Sequence, residues 1–422
     1  MTSRISKFMA GITLALGAFT AVHAATITIS CGNSGADYEI CKKHAGDWAR
    51  KSGHSVKMFS PPNNSTDSLA LYRQLFAAQS SDVDVIMIDV VWPGVIKDHL
   101  VDLSKYSKGA EKEHFPAIVA NNTVDGKLLG MPWFTDAGLL YYRKDLLQKH
   151  GLKAPVTWDD LGAAAKKVQD AERAAGNKDF QGFVFQAKAY EGLACNALEW
   201  ISSHNGGSVV EKDGKISVNN ANAAKALDLV ASWIGSIAPG GVLNYGEEDA
   251  RGVFQNGNAL FMRNWPYAWS LGQAGDSPIK GKIGVAPLPK GPANGKNAAT
   301  LGGWQLAVSK YSSSPDAAAD LVMYMTSAEI QKDRAVRGSF NPTRPALYQD
   351  KDVIAANPFM GELYEVFANA VARPATVTGL KYPEVSQAFW DATHEVLSRK
   401  VTGAESLKKL EGRLNQIKRK SW

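Results

Sequence analysis

Aromatic residues and carboxylates recur where the predicted elements of this 422-residue chain end. The stretch 264–304 holds three of the eleven tryptophans, Trp265, Trp269 and Trp304, together with Tyr267 and several prolines and glycines. Large rings beside proline and glycine lie on turns and element ends, where they face a cleft instead of a core. We interpret this stretch as one wall of a ligand cleft.

Carboxylates with aromatic neighbours stand at further element boundaries, at Glu39, Asp89, Asp136 and Glu191. This mixture suits a sugar, because sugar C–H faces lie flat on rings and sugar hydroxyls donate to charged acceptors. A ring contact contributes about 0.5–1.5 kcal/mol, and a hydrogen bond to a charged group contributes about 1.5–3 kcal/mol. A few of each supply the ~8 kcal/mol of a micromolar complex.

Other readings of the same residues stay open. A tryptophan in an α/β protein is often a core or interface residue. Asp89 is also suited to capping the helix that follows it, Asp136 to forming a turn, and Arg373, before Pro374, to a surface salt bridge. The functional interpretation depends on the joint placement of these residues at element ends.

Several kinds of chemistry lack their sequence signatures. The glycines and lysine at 275–282 do not have phosphate-loop spacing, and no G-x-S-x-G motif occurs. The eight histidines lack metal-ligand spacing, and no cysteine pair completes a zinc motif. We therefore predict a binding protein with no catalytic residue, metal or cofactor.

The first third of the chain alternates strands and helices. Strands are predicted at 26–30, 56–59 and 83–89, with helices between them, and this order is typical of a parallel α/β sheet. Ligands of such sheets bind beyond the carboxyl ends of the strands, which selects the loop after Ser30 and the pair Asp89 and Trp92. The strand at 128–134 and the segment 135–147 that follows it are interpreted as a crossover into a second lobe.

The first 24 residues are predicted to be a secretory signal. Arg4 and Lys7 precede an apolar run at 8–21, and small residues at 22 and 24 form a cleavage site. The run is short for a membrane anchor, which needs ~20 residues. We expect a periplasmic protein, and the net charge of +6 predicts no nucleic-acid surface. In an oxidising compartment Cys31 and Cys41 are able to pair, while Cys195 lies in an apolar stretch and is expected to be buried; the sequence leaves the pairing open.

Seven motifs along the chain resemble the periplasmic sugar-binding proteins of ABC importers, most closely the trehalose/maltose-binding branch. They are D-V-I-M-I-D-V-V-W (84–92), T-D-A-G-L-L-Y-Y-R-K-D-L-L (135–147), Q-A-K-A-Y-E-G-L-A-C (186–195), R-N-W-P-Y-A-W (263–269), G-V-A-P-L-P (284–289), T-L-G-G-W (300–304) and N-A-V-A-R-P (369–374). The resemblance implies a hinged trap of two α/β lobes, each a mostly parallel sheet flanked by helices. One lobe would hold 25–134 plus 300–345, and the other 135–299 plus 346–422.

The same resemblance implies the site residues. The main set is Glu39, chosen over Asp37 in the first loop, with Asp89, Asp136, Trp265, Tyr267, Gly303, Trp304 and Arg373. A second set is Tyr38, Trp92, Phe134, Gln186, Glu191 and Trp390. The expected ligand is a disaccharide such as trehalose or maltose, and the expected partner is an ABC permease that receives it from a monomer. The alternatives are a secreted glycoside hydrolase, and the same fold binding another oligosaccharide, an amino sugar or a polyol.

Overall fold

The protein is described by a computed structural model over residues 24–292 and 294–422. The predicted signal peptide, 1–24, lies outside these described residues except for Ala24. Within them, eleven strands form: β1 (Thr26–Ser30), β2 (Ser55–Phe59), β3 (Val85–Asp89), β4 (Thr123–Val124), β5 (Lys127–Leu128), β6 (Met131–Ala137), β7 (Leu139–Arg143), β8 (Gln181–Val184), β9 (Ala259–Asn264), β10 (Ile283–Pro287) and β11 (Leu301–Val308).

Eighteen α-helices surround these strands in the described part of the chain. They are α1 (Asp37–Ser52), α2 (Ser65–Ala77), α3 (Ser104–Ser107), α4 (Pro116–Asn122), α5 (Lys144–Lys149), α6 (Trp158–Ala174), α7 (Glu191–Ser203), α8 (Ala221–Trp233), α9 (Glu247–Gln255), α10 (Ala268–Gly272), α11 (Pro315–Met325), α12 (Ala328–Gly338), α13 (Lys351–Ala356), α14 (Pro358–Glu362), α15 (Tyr364–Ala368), α16 (Ala375–Thr378), α17 (Tyr382–Leu397) and α18 (Gly403–Lys418). Short 3-10 helices occur at Lys97–His99, Ala110–Glu113, Gly240–Asn244, Pro345–Gln349 and Gly379–Lys381.

Two main sheets divide the strands. The first has the order β2-β1-β3-β11-β6 and the second the order β10-β7-β9-β8, while β4 and β5 form a small ribbon. Apolar side chains of β1, β3 and β11 pack with α1 and α11 in the first lobe, and those of β7, β8 and β9 pack with α6, α7, α8 and α17 in the second. The predicted two-lobe α/β architecture is confirmed.

The sheets are mixed and not mostly parallel, which corrects one detail of the prediction. In the first sheet β1 is parallel to β2 and β3, but β11 is antiparallel to both β3 and β6. In the second sheet only β8 and β9 are parallel. The physical reason is connectivity: β11 follows directly from a segment that crosses from the other lobe, without the helical crossover that keeps neighbouring strands parallel.

The chain passes between the sheets at Gly138, which separates β6 from β7, and again between β10 and β11. Strand placement follows the expected lobe boundaries, except that β6 continues in the first sheet to Ala137. Sheet membership of the strands does not by itself fix where one domain ends and the other begins. The division into 25–134 plus 300–345 and 135–299 plus 346–422 therefore stays a prediction.

A disulfide joins Cys31 to Cys41, with the two Cα atoms 6.2 Å apart. The bond links the residue after β1 to the second turn of α1 and closes the loop that contains Gly32 and Asp37. A short covalent loop restricts the conformations of the segment inside it. The pairing that the sequence left open is therefore present, and it constrains a loop that contributes to the site described next.

Candidate ligand-binding site

A cavity with about 900 Å³ of empty space, partly open to solvent, lies between the two sheets. Its lining comes from strand ends and loops of both lobes. The lining residues that carry the argument are Asp37, Asp89, Phe134, Asp136, Tyr190, Glu191, Glu247, Trp265, Tyr267, Gly302, Gly303, Trp304, Phe340 and Arg373. Ligand sites commonly lie at such an interface between two lobes.

Strand β11 runs down the middle of the first lobe's wall. Its register sets Trp304 beside Asp89 of β3 and Gly302 beside Asp136 of β6, so one strand carries a ring and two glycines between two carboxylates. Gly303 has φ of +122°, and a Cβ there would lie 2.6 Å from the carbonyl oxygen of Phe134. Only glycine fits this close backbone approach, which explains the G-G-W sequence.

Asp89 is held by three donors. Its Oδ2 accepts a hydrogen bond from Ser65 Oγ at 2.6 Å, and its Oδ1 accepts from the backbone N–H of Val91 at 3.2 Å and from Arg373 Nη2 at 3.1 Å. The carboxylate is buried yet lines the cavity. Asp89 therefore ends β3 in a fixed orientation with little rotational freedom.

Asp136 is held quite differently. It is 7% exposed and lines the cavity, and its side chain accepts no hydrogen bond from any residue that the structure describes. Burial raises the pKa of Asp136 to about 7; the charges of Arg263 and Arg334 lower it, and those of Asp37 and Asp89 raise it. A buried acceptor without a partner is costly unless a ligand supplies the donor.

The third carboxylate of this wall is Asp37, the first residue of α1. Its Oδ1 accepts a hydrogen bond from Arg334 Nη2 at 2.8 Å, and burial raises its pKa. The Arg334 guanidinium lies 3.8 Å from the ring centre of Trp133 and 4.4 Å from that of Phe340. Stacked rings thus hold the arginine that orients Asp37.

The second lobe supplies the opposite wall. Strand β9 ends at Asn264, and Trp265 and Tyr267 follow it directly into the cavity. The indole Nε1 of Trp265 donates to Glu247 at 3.4 Å, and the Tyr267 hydroxyl donates to Glu248 at 2.6 Å. Both acceptors begin α9, so the rings are fixed by the N-terminal turn of one helix.

Arg373 bridges the two lobes. Its Nη1 donates to Glu191 at 2.7 Å and its Nη2 to Asp89 at 3.1 Å. Glu191 also accepts hydrogen bonds from the Tyr382 hydroxyl and, at 2.7 Å, from Ser386 Oγ. Three donors occupy most of the acceptor sites of Glu191, so this carboxylate holds Arg373 in place and has less capacity for a ligand than a carboxylate without partners.

The lobes also touch directly on either side of the cavity. The backbone N–H of Glu191 donates to Thr66 Oγ1 at 3.1 Å, which joins the first turn of α7 to the first turn of α2. At the other side a Cβ on Gly35, which has φ of +60°, would lie 2.7 Å from the Tyr267 ring. The structure therefore has the two lobes in contact around the cavity.

Most residues of the predicted main set line the cavity: Asp89, Asp136, Trp265, Tyr267, Gly303, Trp304 and Arg373. Glu39 does not. It is exposed on α1, and Asp37 lies in the cavity lining instead. The reason is helical geometry: successive residues are rotated by about 100°, so the residue two places after an inward-facing one faces away.

Of the second set, Phe134 and Glu191 line the cavity, and the other four do not. Trp92 is buried behind Trp304, edge-on with ring centres 5.6 Å apart. Gln186 is fully buried and donates to the backbone carbonyl of Arg263 at 3.0 Å. Trp390 packs in the core of the second lobe, and Tyr38, on α1, is half-buried outside the lining.

Sequence reasoning missed several lining residues: Asp37, Asn63, Asn64, Ser65, Tyr72, Cys195, Glu247 and Phe340. The polar loop at 61–65 follows the end of β2, so the same carboxyl-end rule that selected the loop after β1 applies to it as well. Cys195 is buried as expected, and it also faces the cavity. For Phe340, which lies far along the chain from the other rings, no sequence signal pointed to the site.

The arrangement is suited to reversible capture. Rings stand on both walls, carboxylates stand mainly on one, and a bridging arginine lies between them. Among the described residues, no group of three or more His, Cys, Asp and Glu side chains is placed to hold a metal ion. The same described part contains no helix with the length and apolar character needed to span a membrane. Fold and site together define a two-lobe ligand-binding protein.

Comparison with known proteins gives the family. The model of the family described as "Bacterial extracellular solute-binding protein" matches residues 34–332, which is more than half of the chain. The chain belongs to this family, whose members bind solutes and are not enzymes. The family description also places its members outside the cytoplasm.

Three relatives illustrate the match. A "Probable ABC transporter-binding protein" of Deinococcus radiodurans is 57% identical, with 99% of this chain and 100% of the relative covered. The solved structure of maltose-bound T. maritima MalE3 is 43% identical with a TM-score of 0.89, covering 93% of this chain and 100% of that one. The GacH receptor of Streptomyces glaucescens shares the fold at 22% identity, with a TM-score of 0.84 and coverage of 94% and 100%.

Proposed function

We propose that this protein is the periplasmic substrate-binding component of an ABC sugar importer. It captures a disaccharide, an α-linked glucose dimer such as maltose or trehalose, between its lobes and delivers it to a membrane permease. It acts as a monomer and leaves the sugar chemically unchanged. The similarity to a maltose-bound protein at 43% identity supports the sugar class.

The observation that carries the proposal is the convergence of rings and carboxylates from both lobes on one cavity. Trp304 comes from the first lobe and Trp265 from the second, and both line the cavity, where their rings suit the apolar faces of a sugar. Asp136 offers an unused acceptor to a hydroxyl, and Arg373 lies at the boundary between the walls. A ligand that contacts both walls stabilises the state in which the lobes touch.

A calorimetric titration series tests the proposal. Maltose, trehalose, maltotriose, glucose and mannitol are titrated into the purified protein, and thermal unfolding is followed with each. A ligand at one hundred times its Kd stabilises the folded state by about 2.7 kcal/mol. Binding of an α-glucoside with a micromolar or lower Kd supports the proposal, whereas no heat with any disaccharide contradicts it.

The glycoside hydrolase alternative is tested in the same samples. A glycosidase needs two carboxyl groups flanking the scissile bond, one as an acid and one as a base or nucleophile. Asp89 is already bound by three donors, including Arg373, which disfavours a proton-transfer role. Recovery of intact disaccharide after prolonged incubation is expected, and release of glucose would contradict it.

A further inference from the structure

The side chain of Arg263 lies behind Trp265. It is 2% exposed and does not line the cavity, whereas the ring of Trp265 does. The guanidinium carbon is 3.8 Å from the centre of that ring. Trp265 is therefore covered on one side by a stacked cation, and a flat guanidinium in this position fixes the plane of the indole.

Glu199 of α7 holds this arginine. Arg263 Nε donates to Glu199 Oε2 at 2.9 Å and Nη2 donates to Oε1 at 2.5 Å, while Nη1 donates to Gln186 Oε1 at 3.4 Å. Glu199 is 1% exposed, so both charges are buried. A bidentate arginine–carboxylate pair fixes orientation as well as distance.

The pair also touches two of the places where the chain passes between the lobes. Glu199 Oε1 accepts a hydrogen bond from the backbone N–H of Thr300, just before β11, at 3.1 Å. At the other passage, a Cβ on Gly138 would lie 2.1 Å from Glu199 Oε1 and 2.6 Å from Arg263 Nη2. Because Gly138 has no side chain, there is room for the ion pair beside it.

Arg263 acts on a second cavity residue through its charge. It lowers the pKa of Asp136, as Arg334 does, while burial, Asp37 and Asp89 raise it. The remaining groups that sense the Asp136 charge are the buried hydroxyls of Tyr141 and Tyr348. Among these neighbours, Arg263 has the largest effect on the pKa of Asp136, and it acts against the effect of burial.

We propose that Arg263, oriented by Glu199, is a positioning residue of the sugar site: it holds Trp265 flat against the cavity and connects this ring to two of the segments that join the lobes. The inference rests on the proposed sugar-binding function. A purely structural ion pair would affect unfolding alone, so affinity and its pH dependence distinguish the two roles.

The experiment compares three variants with the wild type. In R263M/E199M both charges are replaced by apolar side chains of similar length, which avoids leaving one charge buried without its partner. R263K keeps the positive charge and loses the flat, bidentate fork. The matched control is R143M/D145M, which removes another bidentate pair of the same lobe, with bonds of 2.8 and 2.6 Å, away from the cavity lining.

Maltose affinity is measured by calorimetry between about pH 5.5 and 8.5, after circular dichroism has shown that each variant is folded. R263M/E199M is expected to bind about tenfold more weakly at high pH, with the pH at which affinity is lost moved upward because Asp136 has lost a neighbouring cation. R263K is expected to lose affinity without this upward shift. The control is expected to match the wild type.

Wild-type affinity and pH profile in folded R263M/E199M would overturn the inference and leave the proposed function standing. If that variant does not fold, R263K decides: an unchanged Kd shows that the flat, bidentate fork does not position Trp265 and overturns the inference. A wild-type protein that binds no sugar refutes the proposed function, and the inference falls with it. An equal loss of affinity in R143M/D145M would show a general effect of losing a bidentate ion pair.

Discussion

On the wall from the second lobe, most polar side chains beside the cavity are already bound to protein, with the Tyr190 hydroxyl as an exception, whereas Asp136 on the wall from the first lobe is a free acceptor. Trp265 and Tyr267 donate to α9, and Glu191 accepts from three donors. Opposite them, Asp136 accepts no hydrogen bond from the described residues and Asp37 accepts one, from Arg334. The second-lobe wall thus offers mainly shape and apolar contact, and the first-lobe wall has acceptor oxygens available for the hydroxyl groups of a ligand.

The difference assigns separate tasks to the two walls. A surface whose polar groups are satisfied offers shape and apolar contact at little reorganisation cost. A buried carboxylate without a partner gains most from a ligand, because the ligand removes an existing penalty. We therefore expect substitutions on the first wall to change affinity most, and the following predictions run from the largest expected effect to the smallest.

Asp136→Asn is expected to give the largest loss of affinity. Removing a charged acceptor of sugar hydroxyls costs about 2–3 kcal/mol, close to a hundredfold in Kd at pH 8. The wild type is expected to bind more weakly as pH falls through about 7, since the carboxylate is then protonated. Calorimetry at several pH values measures both effects; a variant that keeps the wild-type profile contradicts the assignment.

The same substitution is expected to stabilise the unliganded protein at high pH. The pKa of Asp136 in the folded state, about 7, lies above the ordinary aspartate value of 3.8, so the folded state holds the proton more tightly. The free energy of unfolding of the wild type therefore falls as the pH rises between these two values. Asparagine does not titrate, so the variant lacks this decrease. Thermal unfolding of the variant and wild type should diverge at pH 8 and agree near pH 4; a constant difference would argue against this linkage.

Trp304→Ala is expected to weaken sugar binding by more than about tenfold while the fold persists, because a stacking ring on the first wall is lost. Trp92→Phe is the matched comparison. Trp92 supports Trp304 edge-on and does not line the cavity, so a smaller ring there should change Kd by no more than about twofold. Equal losses in the two variants would show that the effect comes from packing and not from stacking on sugar.

Glu191→Gln tests whether Glu191, which three donors already bind, affects sugar binding only by holding Arg373 in place. The change weakens three hydrogen bonds, so the midpoint of thermal unfolding should fall and affinity should drop only several-fold. Unfolding and calorimetry are measured on the same preparation. Lost affinity with unchanged stability would instead make Glu191 a direct sugar contact, as the family resemblance suggested.

The double substitution of Cys31→Ser with Cys41→Ser is expected to have the smallest effect on affinity, about two- to threefold, because it loosens only the loop that leads to Asp37. Unfolding stability should fall by about 2–3 kcal/mol. The control is a reductant. It should lower the unfolding stability of the wild type towards that of the double variant and leave the stability of the double variant unchanged. Reductant sensitivity in the variant would point to another cause.

The carboxyl-end rule for α/β sheets predicted the position of Asp89, and the turn-rich stretch 264–304 predicted Trp265, Tyr267 and Trp304 in the lining. The choice of Glu39 for the cavity lining failed for a physical reason. Choosing Glu39 over Asp37 required knowing how α1 is rotated about its axis, and a shift of one residue turns a helix by about 100°. The register of α1 is set by its packing against α11 and α12, which the local sequence does not encode.

What the sequence by itself determined is the class of chemistry: rings and carboxylates at element ends, without the motifs of a catalyst, in a chain long enough for two lobes. Only the tertiary structure decided which of these groups remain free. Glu191 accepts hydrogen bonds from Arg373, Tyr382 and Ser386, which are nearly two hundred residues away, whereas Asp136 is left without a donor. Hydrogen-bond capacity is used up by partners close in space, so residue types and spacing alone do not reveal it.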